Sequence, residues 1–365
     1  MDASTLKSKY SVGVAMSGGV DSSVTAVLLH EQGYRIVGLT MKLWKSDEAG
    51  DHERPCCSVS MSRDAAEVCA KLGVPHYTLN LVKEFKQSVI DNFQSEYLAG
   101  RTPNPCVNCN TVLKWGALWD KVKALGLDYL ATGHYAQISA DENGGYHLLR
   151  GLDSAKDQSY FLWGIQATIL SRTLFPLGSL TKTEVRRLAL KYGLAVADKA
   201  ESQDICFIPD SNYQKWLKER TPELATDSYA GEMIDPEGKV ISRHKGYPFF
   251  TVGQRKGLGL GGGKKYYVTQ IDPESKAVYL GDRDDLNSDL FEVASLNWLQ
   301  DPEKYAQQSI EVKIRYRDPG VPAKMVDGVN GSVKLRTEVP VQAVTPGQSA
   351  VFYAGDEVIG GGIIK

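Results

Sequence analysis

The sequence predicts an α/β protein: a doubly wound parallel sheet, then a small central β-rich domain and a C-terminal β-barrel. Three observations carry this. Up to about residue 210, short apolar runs alternate with stretches of helical periodicity, the pattern of repeated βαβ units. A glycine-rich loop joins the first apolar run to the first helix. Beyond that point glycines and β-branched residues increase and helical periodicity largely disappears.

The elements follow in order. "YSVGVAM" (10–16) reads as a buried strand, and Val24, Val27 and Leu28 fall on one face of the following helix, which Gly33 stops. "RIVGLTM" (35–41) is the next strand, 60–72 a helix ending at Gly73, and "VPHYTLNL" (74–81) a third strand. A helix over 83–98, a Pro-rich loop at 102–105, a helix near 111–125 and a strand at 128–132 come next. Thr181 and Glu184 make a capping box that opens a helix running to about Tyr192. "GEMIDPEGKVI" and "VTQIDPESKAVYLG" read as hairpins with Asp-Pro-Glu turns. "SIEVKIRYR" and "GSVKLR" alternate like strands of a closing barrel or sandwich, which puts Arg315 and Arg317 on one strand face. The glycine-rich 257–263 reads as a mobile loop.

A length of 365 residues predicts two or three domains, and 42% apolar with 24% charged residues is ordinary for a soluble globular protein. No apolar run is long enough to span a membrane, and "MDASTLKSKY" lacks the apolar core of a signal peptide. These favour the cytoplasm, or an organelle matrix if a transit segment has been removed. Six cysteines in so long a chain are no disulfide scaffold; in a reducing compartment, paired ones read as metal-binding or catalytic. The net charge is −2, yet 239–267 holds seven Lys or Arg and no acidic residue, leaving the remainder at −9. A basic segment in an acidic chain suits a phosphate-rich partner, or it is simply a solvated loop.

A strand, then Ser17-Gly18-Gly19-Val20-Asp21-Ser22-Ser23, then a helix is built for phosphate. Glycines admit the anion to the backbone, and free N–H groups at the helix start attract it. There is no Gly-Lys-Ser/Thr ending and no Gly-x-Gly-x-x-Gly, so neither a Walker loop nor a Rossmann fingerprint is present. Asp21 would repel phosphate unless it held Mg²⁺ or an ordered donor. Cys106 and Cys109 form a Cys-x-x-Cys pair, with Cys206 far along the chain. A thiolate is a strong nucleophile and a sulfur carrier, and one cysteine can bear a persulfide that another resolves. Alternatively, Cys206 is a small core residue between Ile205 and Phe207. Cys56, Cys57 and Cys69 read as structural. His134 could equally be a strand-end histidine satisfied by backbone, and Lys156 and Asp157 an ordinary surface ion pair.

The glycine loop resembles that of the PP-loop ATP pyrophosphatases, which cleave ATP between the α- and β-phosphates and adenylate an oxygen. "AMSGGVDSSV", "TPNPCVNCN", "ATGHYA", "KDQSYFL", "ICFI", "TVGQRKGLGLGGG", "KIRYR" and "TPGQ" occur in this order. Together they resemble the tRNA-specific 2-thiouridylases, from about residue 10 to the C-terminus. The resemblance implies a catalytic domain over 1–209, a central domain over 210–284 and a β-barrel domain over 285–365. It implies ATP and Mg²⁺ at Ala15, Met16, Ser17, Gly18, Gly19, Val20, Asp21 and Ser22, with Met41 and Gly133 lining the nucleotide. Cys109, followed by Asn110, matches the nucleophile, and Cys206 the persulfide carrier. Asn104, Pro105 and Cys106 match the segment that meets the target base. Lys156, Asp157, Gln158, Arg315 and Tyr316 match tRNA contacts, with His134 and Gln348 also near the RNA. The implied partners are tRNA and a sulfur-donor protein, either a cysteine desulfurase or a persulfide relay protein, with no membrane.

Two departures stand out. Many members carry Asp where this chain has Cys106, so Cys106 and Cys109 are both candidates for the nucleophile. "ESQDICF" also replaces a more usual Asp-Ser-x-Gly approach to the persulfide cysteine. An alternative keeps the reaction but lets Cys106, Cys109 and Cys206 hold a [4Fe–4S] cluster with one open iron. Other rivals are an ammonia-using ligase, which gives the cysteines no role, and a zinc-stiffened RNA-binding module, which lacks an obvious fourth ligand.

Overall fold

The computed structural model describes residues 8–44, 59–199, 205–208, 212–261, 264–329 and 331–365. Cys56, Cys57, residues 201–204 and the last two glycines of the 257–263 loop lie outside the described residues. The chain divides into two units, one of residues 1–89, 106–207 and 356–359, the other of 90–105, 208–355 and 360–365.

In the first unit the alternating runs form β1 (Ser11–Ala15), β2 (Arg35–Lys42), β3 (His76–Asn80) and β4 (Tyr129–Ala131). Beyond a hairpin, β5 (Ala136–Ala140) and β6 (Tyr146–Arg150), comes the short β7 (Thr173–Leu174). The sheet order is β3-β2-β1-β4-β7, and every pairing is parallel. From β1 the chain winds to one side for β2 and β3, then crosses to the other side for β4. The loops leaving β1 and β4 therefore open a crevice at their C-terminal ends, where doubly wound sheets bind ligands.

Helices α1 (Val20–Glu31), α2 (Val59–Leu72) and α3 (Lys182–Lys191) pack with this sheet, and the helical turn Trp119–Ala124 packs against β4. Val12 and Val14 of β1 are fully buried, as a strand covered on both faces should be. The single apolar face read for α1 understates its burial. Ser22, Ser23, Thr25 and Ala26 are buried with Val24 and Val27, because α1 packs against α2 and α3 as well as the sheet. The capping box is present: Glu184 N donates to the Thr181 hydroxyl, and Thr181 N donates to Glu184 Oε2 at 2.7 Å.

Two helices depart from their expected bounds. The run expected over 83–98 is α-helical at Val82–Phe85 and Asp91–Leu98 but π-helical at Lys86–Ile90. The run expected from 111 begins at Pro105: Pro105–Asn108 is α-helical, Cys109–Leu118 π-helical and Trp119–Ala124 α-helical again. Proline suits a first helical position, where its missing N–H has no intrahelical partner to lose. The Cys-x-x-Cys pair thus lies on a helix, Cys106 in its α-helical first turn and Cys109 at the start of a π-helical stretch of the kind that recurs at functional sites.

The β5–β6 hairpin has no counterpart among the sequence expectations. Asp141 closes its turn by accepting from Asn143 N and Gly145 N, each at 2.8 Å. His147 on β6 lies between Glu357, 2.6 Å from Nδ1, and Asp141, 3.1 Å from Nε2. The Glu357 bond, reinforced by Asp141 and opposed by partial burial, raises the His147 pKa above its ordinary value. A raised folded-state pKa stabilises the fold fully below the unfolded histidine value of about 6.5, and that contribution fades as pH rises through the folded value. His147→Gln should therefore cost most stability near pH 5.5 and least near pH 9, roughly bracketing the unfolded histidine value. Urea unfolding at both pH values checks this, and an equal cost at both would refute it.

In the second unit the two predicted hairpins are present. β8 (Gly231–Ile234) pairs antiparallel with β9 (Val240–His244), and β10 (Tyr267–Asp272) with β11 (Ala277–Gly281). Their sheet order is β10-β11-β8-β9. Then β12 (Asn287–Trp298), β13 (Ile310–Lys313), β14 (Val321–Val329), β15 (Ser332–Gln342), β16 (Ser349–Ala354) and β17 (Glu357–Ile364) follow. Neighbours run β12-β15-β14-β13-β16-β17, and β17 pairs back onto β12 through Val293 and Ile364. That pairing closes the six strands into a barrel, so neither β12 nor β17 is left as an edge. The strand expectation for "KIRYR" is corrected here. β13 ends at Lys313, and Arg315 and Arg317 share no strand face because the chain turns, Asp318 N donating to Arg315 O at 3.2 Å.

Candidate active site

Ala15 ends β1, and the chain turns into α1 through Gly18 and Gly19. Gly18 has φ +69°, and a Cβ there would lie 2.2 Å from Met61 O, so only glycine fits. Gly133, in the loop after β4, packs against the same turn: a Cβ would lie 2.9 Å from Asp21 C and Ser22 N. The two motifs thus meet at the crevice between β1 and β4. The three serines divide their work. Ser22 Oγ accepts from Ser17 N at 3.2 Å, and the fully buried Ser23 donates to Gly19 O at 2.9 Å. Ser17 alone is exposed, so the inner hydroxyls brace the loop. Met16 is buried, its sulfur accepting from the Cys69 thiol at 3.4 Å, while Met41 lies half-buried near the C-terminal end of β2. Burial pushes the Cys69 thiol up to about 11, which keeps it protonated and inert.

Asp21 has the ordered donor that the sequence allowed but did not name. Lys182 Nζ lies 2.7 Å from Asp21 Oδ1 and 2.9 Å from Oδ2, and Tyr135 OH donates to Oδ1 at 2.8 Å. Lys182 is 8% exposed. It occupies the first position of α3, where a cation runs against the helix dipole. That mismatch was the available signal.

A relay ties the Cys-x-x-Cys helix to the loop after β4. Asn110, next to Cys109, donates to Phe161 O at 2.9 Å and accepts from Lys114 Nζ at 2.8 Å. Lys114 Nζ lies 3.4 Å from His134 Nε2, and His134 Nδ1 lies 2.6 Å from Thr132 Oγ1. Burial, then the Lys114 charge, push the His134 pKa well below its ordinary value, so the ring is neutral. Lys114 can only donate, so Nε2 accepts and the proton resides on Nδ1, donated to Thr132.

Cys106 is exposed, and Cys109 and Cys206 are half-buried. Phe207, fully buried, packs edge-on against Phe85, which packs against Trp44, with ring centroids 6.0 and 5.3 Å apart. Trp44 follows β2 and Phe85 follows β3, so this ladder anchors Cys206 on the C-terminal side of the sheet, the side of the glycine loop. Cys206 itself is not a core residue. Among the described residues no group of three His, Cys, Asp or Glu is placed to hold a metal ion, and nothing favours the cluster reading of the three thiols.

The remaining residues divide. Asp157 is buried and bonds inward, accepting from Gly151 N and Ser159 N at 3.0 Å each, so the surface-ion-pair reading of Asp157 is replaced by a loop brace. Gln158 accepts from Tyr135 N at 3.0 Å, and Lys156 is half-buried beside them. In the second unit Gln348 donates to Thr102 O at 2.9 Å and Pro103 O at 3.1 Å, fixing the segment that leads to Asn104 and Pro105. Arg315 donates to Asp318 at 3.2 Å and to Gln342 O, with Tyr316 half-buried beside it. The basic segment is less isolated than its sequence suggests. Loss of solvent lowers the Lys264 pKa, but Asp282, Tyr266 and Glu237 outweigh it and raise the group above its ordinary range. Among the described residues no helix is long and apolar enough to cross a membrane.

Residues 10–210 match the tRNA methyl transferase HUP domain, 215–282 the tRNA methyl transferase PRC-barrel domain, and 288–364 the aminomethyltransferase β-barrel domain. The chain is 48% identical to a tRNA-specific 2-thiouridylase MnmA of Carboxydothermus hydrogenoformans, over 96% of both chains. It is 50% identical to that of Amoebophilus asiaticus, over 98% of this chain and 96% of the relative. It is 49% identical to that of Heliobacterium modesticaldum, over 98% and 92%.

Proposed function

The chain belongs to the tRNA-specific 2-thiouridylase family, and from that premise we propose how its residues replace the 2-oxygen of the wobble uridine with sulfur. The observation that carries the reading is the meeting of the Ser17–Ser22 loop with Gly133 at the crevice of the parallel sheet. Nucleotide phosphates fit there: a left-handed glycine, a helix N-terminus and the exposed Ser17 offer donors to an anion. Ala15, Met16, Val20 and Met41 frame the nucleotide. Asp21 does not suit a magnesium site, because both its oxygens already accept from Lys182. Mg²⁺ would instead come with the triphosphate and supply charge neutralisation there.

The target uridine leaves its stack, as a base must for chemistry at its edge. Its 2-oxygen attacks the α-phosphorus, the bond to the β-phosphate oxygen breaks, and pyrophosphate leaves. The outer sulfur of a Cys206 persulfide then attacks carbon 2, and AMP leaves. The Cys109 thiolate attacks Cys206 Sγ; the S–S bond breaks, its electrons stay on the sulfur now held by carbon 2, and a Cys109–Cys206 disulfide remains. A thiol reductant resets the pair, and a cysteine desulfurase or relay protein reloads Cys206. Asn104, Pro105 and Cys106 meet the base. Lys156, Gln158, His134, Arg315, Tyr316 and Gln348 position the RNA, with Asp157 bracing the loop of Gln158. We assign catalysis to 1–209 and RNA holding to 210–284 and 285–365, in the cytoplasm. The test is mass spectrometry of tRNA nucleosides after incubation with ATP, Mg²⁺ and a persulfide source. Equimolar 2-thiouridine and AMP are expected, and AMP without 2-thiouridine would overturn the reading.

The basic segment supplies another expected outcome. Arg255, Lys256, Lys264 and Lys265 are exposed. Each phosphate contact releases counterions, so log affinity should fall with log salt by about 0.7 to 0.9 per contact. Neutralising all four should flatten that slope and weaken all tRNA substrates alike, because phosphate contacts carry no sequence information. Lys264, already facing Asp282, should contribute least. Superimposable binding curves for wild type and variant would return the segment to a solvated loop.

A further inference from the structure

We propose that Lys199 is a positioning residue for the nucleotide: it holds the Gly18 carbonyl so that the Gly19 N–H is aimed at phosphate. The inference rests on the reading of the glycine loop as the nucleotide site. Lys199 Nζ lies 3.2 Å from Gly18 O and 2.7 Å from Asp64 Oδ2 on α2. Lys199 and Asp64 are 36% and 30% exposed, so both stay in reach of solvent and the pair contributes little as a plain surface ion pair. What the contact does is geometric. A trans peptide is planar, and its C=O and N–H point in opposite directions. Pinning the Gly18 oxygen on one side therefore points the Gly19 N–H to the other. Gly19 is the N-cap of α1 with no side-chain cap, and Gly18 has the positive φ that such an anion-binding turn requires. Without a Cβ at either residue the Gly18–Gly19 peptide is free to flip, and Lys199 is the side chain placed to prevent it. Asp64 in turn holds the ammonium, so that it presents its proton to the carbonyl and not to an incoming phosphate.

The roles of a positioned N–H and of a merely structural lysine separate by ligand. Affinities for adenosine, ATP and pyrophosphate are measured by calorimetry on the full chain for wild type, Lys199→Met and Lys199→Arg. Losing the aim of one phosphate donor should weaken ATP and pyrophosphate by about tenfold, the worth of one charged hydrogen bond. Adenosine affinity should not change, and Lys199→Arg should restore most of the loss. Equal weakening of all three ligands, or no weakening of ATP, would overturn the proposal. If Lys199→Met does not fold, Asp64→Asn decides, with the same selectivity for phosphate-bearing ligands at smaller amplitude. A wild-type protein that binds none of the three would sink the nucleotide reading itself, a result distinct from either.

Discussion

Serine in place of Cys206 is expected to end 2-thiouridine formation, by at least about a thousandfold, while pyrophosphate release continues. A hydroxyl cannot carry a persulfide, so the adenylated base meets no sulfur and is lost to water. Cys109→Ser should fail at a later step. Sulfur transfers to carbon 2, but nothing attacks Cys206 Sγ, and the RNA stays linked to the protein through the disulfide-bound sulfur. The two variants therefore differ in a gel: only Cys109→Ser should accumulate a reductant-sensitive protein–RNA adduct. Cys106→Ser should be milder, since the proposed cycle needs only Cys109 and Cys206. If Cys106→Ser is as dead as the others, the assignment of Cys109 as the only attacking thiol falls.

Asp21→Ala should reduce adenylation by about a hundredfold or more, the scale of losing preorganised charge at a reacting phosphate. It should also lower the thermal midpoint. Removing it strands Lys182. Breaking a buried pair costs about 3–5 kcal/mol, and less here because the Asp21 side chain is 31% exposed. The double variant Asp21→Ala with Lys182→Met removes the stranded charge and should regain the midpoint without regaining AMP formation. Recovery of both together would make the pair a purely structural one.

Much of the candidate site was legible in the sequence. The glycine loop and the Cys-x-x-Cys pair suggest their chemistry locally, because phosphate cradles and thiol nucleophiles need particular residue types within a few positions, whereas the roles of Cys109 and Cys206 came from the family resemblance. The βαβ alternation also indicated a sheet whose loops would gather at one end. Less legible was the state of individual groups. His134 gives no hint by itself of being neutral; that follows from burial beside Lys114, which lies 20 residues away. Asp157 and Arg315 looked like surface charges and turned out to spend their polar atoms on nearby backbone. Pro105 looked like a loop residue because proline breaks helices in their interior, whereas at a first turn it starts one.

By itself the sequence determined the βαβ order of the first sheet, its parallel architecture and the family. These are set by short-range patterns: strand and helix periodicity, turn glycines and capping residues act over a few residues. Tertiary structure alone decided which distant groups meet. Lys182 reaches Asp21 across 161 positions, and Lys199 reaches Gly18 across 181. Lys182 leaves one local signal, a cation in the first turn of its helix, but that signal does not name its partner, and Lys199 leaves none. Both partnerships form because the winding of the sheet brings α3 and the segment after it back over the loop between β1 and α1. Within that crevice a charge removed from water takes the nearest opposite partner.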